Sequence, residues 1–98
     1  MEVRFSEGHL DRLESDPRYD AGYPAVAVSA FRKRMQLIRA ATDERAFYEL
    51  RSLRFEKLKG SRSHQHSMRL NDQWRLIVEF EGKGAKKVLI VVAIEDYH

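Results

Sequence analysis

Proton-transfer chemistry in this chain would fall to Asp96 and His98, two residues apart at its carboxyl end. Imidazole, with an unperturbed pKa of about 6.5, readily gives and takes protons near neutrality. On an extended segment a spacing of two places Asp96 and His98 on one face. There the carboxylate could orient the ring, stabilise its charge or itself transfer a proton. Cationic donors come from an earlier stretch. Between residues 51 and 75, Arg51, Arg54, Lys57, Lys59, Arg62, Arg69 and Arg75 face only Glu56 and Asp72. That local excess of five positive charges suits a polyanion such as a nucleic-acid backbone. A solvated, salt-screened face is the competing reading of the same residues.

Other chemistries find less support. His64-Gln65-His66 would place two imidazoles on the same side of a strand, but no third ligand stands at a familiar spacing, so no metal site is expected. Gly82 and Gly84 read as a hairpin turn without the following helix that a phosphate-cradling loop needs. The serines have neither a nucleophile elbow nor a base at recognisable spacing, which argues against a covalent serine hydrolase. With no cysteine, disulfides and thiolate metal sites are excluded together, and a reducing cytoplasm is the natural compartment. The opening residues 1–7 lack a signal-peptide core, and no uncharged apolar run approaches the roughly 20 residues of a membrane span. The chain is therefore expected to be soluble, cytoplasmic and without a membrane partner.

Elements able to position these residues can be read from periodicity. At 98 residues the chain is expected to form one domain, spanning 1–98. Val3-Arg4-Phe5 reads as a short strand, and Ser6 as the cap of a brief helix through Leu10 and Leu13. Pro24 suits the first position of a longer helix, in which Val28, Phe31, Met35 and Ile38 recur at spacings of three and four. Thr42-Asp43 offers a cap for a shorter helix containing Ala46, Phe47 and Leu50. The period then changes. Residues 67–70 and 74–80 read as antiparallel strands around an Asn71-Asp72 turn, and residues 88–94 as a central strand buried on both faces. The order strand, helix, helix, then three strands predicts a compact α+β domain, with two N-terminal helices on one face of a mostly antiparallel sheet. Residues 1–50 carry eight basic and nine acidic side chains, so the basic excess lies in the second half, which bears the strands.

Leu58-Lys59-Gly60, the run Met68-Arg69-Leu70-Asn71-Asp72-Gln73-Trp74-Arg75 and the terminal Asp96-Tyr97-His98 together resemble the HigB-type plasmid maintenance killer toxins of the RelE/ParE superfamily. The likeness is best from Leu53 onward; the first half agrees in length and element order. It implies a RelE-like fold and a ribosome-dependent endoribonuclease that cuts mRNA in the decoding site without a metal or other cofactor. In such enzymes the substrate's own 2′-OH attacks the adjacent phosphate, so a base, an acid and cationic stabilisers are needed. By motif position, Arg75 matches the family's phosphate-stabilising arginine and Lys59 its active-site lysine, with Asp96 and His98 completing the catalytic set. Arg54, Lys57, Arg62 and Arg69 would bind RNA, and Tyr97 would either pack on the sheet or stack on a base. Where some members carry a histidine three residues before the turn lysine, this chain has Glu56, which could take over proton transfer or weaken cleavage. The implied partners are the 70S ribosome with mRNA and a HigA-like helix-turn-helix antitoxin, with operator DNA bound only through the antitoxin complex. Two alternatives share the fold: a ParE-type toxin that binds gyrase without nucleolytic chemistry, and a weakened toxin acting chiefly as a corepressor.

Overall fold

The computed structural model describes residues 1–97. Strand β1 (Glu2–Phe5) leads into helices α1 (Gly8–Ser15), α2 (Ala25–Ala40) and the short α3 (Arg45–Glu49). Strands β2 (Glu56–Lys57), β3 (His66–Arg69), β4 (Trp74–Glu81) and β5 (Val88–Asp96) follow. Among the described residues they form a five-stranded sheet in the order β1-β5-β4-β3-β2. All pairings are antiparallel except β1 with β5, which is parallel. A parallel pair needs a crossover connection, and here the helices lie within that connection.

The stripe expected on the longer helix is the one that is buried: Val28, Phe31, Met35 and Ile38, joined by Ala27. It packs with Leu10 and Leu13 of α1 against Met68, Leu76, Val78, Leu89, Val91 and Ile94 of the sheet. Each large apolar side chain so enclosed contributes about 1.5–3 kcal/mol. Arg32 fastens the helices together by donating to the backbone oxygens of Leu13, Asp16 and Tyr19 at 3.0, 2.8 and 2.9 Å.

Local details depart from expectation. Ser6 is not a cap: Glu7 holds that position with no side-chain bond, and the Ser6 hydroxyl instead donates to the Val92 carbonyl at 3.1 Å. Pro24 stands one residue earlier than expected, at the N-cap of α2. Asp43 does bind a backbone N–H, that of Arg45 at 2.9 Å, but the cap position itself belongs to Glu44. Strand β2, two exposed residues long, has no period to announce it. Nor is β5 buried on both faces. Leu89, Val91 and Ile94 are in the core, whereas Ile90, Val92 and Ala93 are half-buried, because the helices cover only one side of the sheet.

A β-bulge decides which residues face which way. Ile77 pairs with Ala93, but its neighbour Val78 pairs with Val91, leaving Val92 as the extra residue. The core-facing phase of β5 thus passes from Leu89 and Val91 to Ile94. Glu95 consequently falls on the helix-free face, opposite Arg75.

Candidate active site

The helix-free face carries a hollow of about 230 Å³, lined by Arg54, Glu56, Ser67, Arg69, Asn71, Asp72, Arg75 and Tyr97. Strand alternation explains the set. Ser67 pairs with Ile77 and Arg69 with Arg75, so β3 and β4 point these side chains to the same side, while Glu56 of β2 stands opposite Ser67. Arg54 reaches the site from the end of a 3-10 turn, Arg51–Leu53, in the left-handed conformation at φ 46° and ψ 46°. Such a conformation costs a non-glycine residue about 1–2 kcal/mol, so the surrounding structure holds it there.

Arg75 is the most enclosed of the three guanidinium groups. Its side chain is 23% exposed, one nitrogen lies 3.6 Å from the Glu95 carboxylate, and its carbon sits 5.2 Å from the centre of the Tyr97 ring. Its Nε is shielded from solvent with no acceptor among the described residues. A buried donor without a partner costs about 1–3 kcal/mol. Glu95 is itself held by Arg62 through two nitrogens, at 3.2 and 2.7 Å. Arg62 also donates to Gln65, and Gln65 to Glu79, at 2.9 and 3.0 Å. Arg69 donates to the Asn71 carbonyl and pairs with Asp72, whose side chain is 95% exposed. The Asn71 side chain shapes the turn by accepting from the N–H groups of Gln73 and Trp74 at 2.9 and 2.8 Å.

The structure thus brings together Arg54, Arg69, Arg75 and Tyr97 from the residues singled out by sequence. Tyr97, 58% exposed, lies over the Arg75 guanidinium with much of its ring open to solvent. Glu56 also lines the hollow. Lys57 and Lys59 are exposed outside its lining, and Arg62 is engaged by Glu95 behind it. Asp96 is not among the lining residues either; it pairs with Trp74 in the ladder and accepts from Gln73 Nε2 at 3.1 Å. His98 lies outside the described residues. Trp74 packs edge-on against Tyr23 at 5.8 Å and borders the core.

The two histidines expected to share a side do not. His64 Nε2 approaches Glu79 at 3.8 Å, whereas His66 stacks on Phe55 at 4.9 Å and meets Phe80 edge-on at 5.3 Å. Glu79 and Phe80 are adjacent in β4 and so point to opposite faces of the sheet, and they draw the imidazoles apart. Among the described residues no three histidine or carboxylate groups converge on a common point. Glu95 and Asn71 were missed by sequence reasoning. The Arg75–Glu95 pairing depends on the bulge, and no local pattern discloses it.

A compact α+β domain with a five-stranded, mostly antiparallel open sheet matches the fold of RelE-like toxins. The chain is similar in fold to the YoeB/ParE toxin from Agrobacterium tumefaciens, with 22% identity, all of both chains covered and a TM-score of 0.62. It is also similar to YafQ from E. coli strain BL21(DE3), with 13% identity, 98% of this chain and 92% of that one covered, and a TM-score of 0.58. No curated protein matches the chain. The family described as "RelE-like toxin of type II toxin-antitoxin system HigB" matches residues 3–98, and the chain belongs to that family. An antitoxin partner follows from membership of such a system. No helix among the described residues is long and apolar enough to cross a membrane.

Proposed function

We propose that this toxin is a cytoplasmic, single-domain endoribonuclease that cleaves mRNA in the decoding site of the 70S ribosome without a metal. The observation that carries the reading is the hollow in which three guanidinium groups surround a space of about 230 Å³, one of them with an orphaned buried donor. Such a site can bind a phosphodiester and stabilise the charge that grows on it during attack. In the reaction, the 2′-oxygen forms a bond to phosphorus as the bond to the 5′-oxygen breaks. The 2′-hydroxyl proton passes to a base, and an acid protonates the departing 5′-oxygen. Arg75 would stabilise the phosphorane-like charge, with Arg69 and Arg54 holding the backbone and Tyr97 offering a face to a base. His98 and Asp96 are the proton-transfer candidates given by the family resemblance, and Glu56 is the carboxylate that lines the hollow itself. Lys59 would be the active-site lysine that its motif position implies. The partner that silences the toxin would be a HigA-like helix-turn-helix antitoxin, through which alone the pair would bind operator DNA.

Primer extension on cellular mRNA after brief induction tests this reading. Cuts inside translated codons, absent from Arg75→Ala and strongly reduced in His98→Ala, are the expected result. DNA damage without such cuts would instead point to a gyrase-binding toxin. Growth arrest with neither, or no arrest at all, would leave a corepressor role.

A further inference from the structure

A second hollow, which the proposed cleavage does not use, lies on the helical side of the molecule. It is a groove of about 240 Å³ between Lys33, Arg34 and Leu37 of α2 and Leu50, Ser52 and Leu53 around the following 3-10 turn. Its floor is apolar. Leu53 is buried, Leu37 is half-buried, and Leu50 remains 43% exposed although it is a large apolar side chain. Its rim is cationic, since Lys33 and Arg34 line it and no carboxylate does.

Arg34 is the anomaly of this groove. Its Nε is shielded from solvent and meets no acceptor, and no carboxylate among the described residues pairs with it. Burial, and then the charge of Arg69, hold its pKa below the ordinary arginine value. Arginine does not give up its proton under such pressure, so a half-buried cation stands there with its Nε unpaired and no carboxylate beside it. That arrangement is unfavourable until something supplies one.

We propose that this groove is the docking surface for an acidic, amphipathic peptide segment of the antitoxin, which lays an apolar side chain over Leu50 and Leu37 and sets a carboxylate on Arg34. The proposal rests on membership of a type II system for the existence of the partner, and on charge and apolar complementarity for its place. Arginines beside apolar pockets are frequent anchors of protein interfaces. The groove also adjoins the catalytic face from behind. Leu53 precedes Arg54, and Arg34 is near enough to Arg69 to feel its charge. A carboxylate seated on Arg34 would lower the positive potential around Arg69, so docking would depress phosphate binding without filling the hollow.

The test uses the full chain carrying Arg75→Ala for safe expression, titrated calorimetrically with the purified antitoxin encoded by the adjoining gene. In that background Arg34→Met and Leu50→Asp should each weaken binding by about tenfold or more. Val26→Asp, on an exposed residue of α2 outside the groove, should leave affinity unchanged. Arg34→Met should also flatten the dependence of affinity on salt. It removes an uncompensated cation and keeps the aliphatic bulk, so it should melt no lower than its parent, separating docking from folding. Parental affinity in both groove variants would overturn the docking surface and leave the toxin reading intact. Failure of the antitoxin to bind the Arg75→Ala parent would overturn the partnership, and the docking surface with it.

Discussion

Glu95 stands opposite Arg75 in the β4–β5 register, and its carboxylate touches Arg75 at 3.6 Å while Arg62 grips it with two nitrogens. Arg62 therefore fixes the carboxylate, and the carboxylate fixes the guanidinium that faces the hollow. Glu95 is a positioning residue in this arrangement. Glu95→Gln, which keeps the shape and removes the charge, should slow single-turnover cleavage on programmed ribosomes by about tenfold to a hundredfold. Ribosome affinity should change by no more than about fivefold, because partly exposed ion pairs contribute little. Glu95→Asp should recover part of the rate. A Gln variant that cleaves at the parental rate would show that Arg75 needs no such anchor.

Asp72 occupies the guanidinium of Arg69 from an almost fully exposed position. An RNA phosphate would have to displace it. Exposed pairs of this kind are worth at most about 1 kcal/mol, so Asp72→Asn should tighten RNA binding by up to about fivefold. Filter binding at low salt reads the change, and weaker binding would exclude Arg69 from phosphate contact.

Arg54 combines a charge that lines the hollow with a backbone conformation that arginine disfavours. Replacing it with glycine or alanine removes the charge equally, but only glycine adopts the left-handed region without steric cost. Urea unfolding should find Arg54→Gly more stable than Arg54→Ala by about 1 kcal/mol, with cleavage reduced alike in both. Equal stabilities would show that the turn relaxes around position 54 at no cost.

His66 supplies a pH dependence. Burial pushes its pKa below the ordinary value; Glu44 opposes that shift, and Lys57 and Lys87 reinforce it. Its Nδ1 is buried without a partner, between Phe55 and Phe80. The folded chain thus favours neutral imidazole, whereas the unfolded chain takes up a proton near pH 6.5. This contribution to stability should be complete above about that pH and fall as the pH drops below it, since the unfolded state binds the proton first. Thermal melting across that range should show a shallower decline for His66→Phe. Parallel profiles would assign the decline to other groups.

What could be foreseen followed from local pattern. The stripe of α2, the Asn71-Asp72 turn and the apolar run of β5 each announce themselves within a dozen residues. So does the grouping of Arg69 with Arg75, which a hairpin enforces. What could not be foreseen is set by pairing across the sheet. β2 exists as a strand because Glu56 and Lys57 find Ser67 and His66, and Ser6 turns from capping to the bulge because the Val92 carbonyl is there to receive it. The partition of the carboxyl end, with Tyr97 lining the hollow and Asp96 outside its lining, also depends on the bulge. The pairing of Arg62 with Glu95 joins residues 33 positions apart, and no local pattern announces it.

Val92 is one residue more than a regular ladder between β4 and β5 would hold, and that surplus acts as a parity bit for everything after it. Were the same sequence laid out without the bulge, Ile94 would turn outward and Glu95 inward, exchanging an isoleucine for a carboxylate beneath the helices. Deleting Val92 would leave the addresses of Ile94, Glu95 and Tyr97 unchanged, because the shortened strand could run as a plain ladder. A residue added beyond Val92 with the bulge retained would swap them. Whether a side chain near this end belongs to the core or to the hollow is thus settled by the count of residues before it together with the bulge, as much as by its own chemistry.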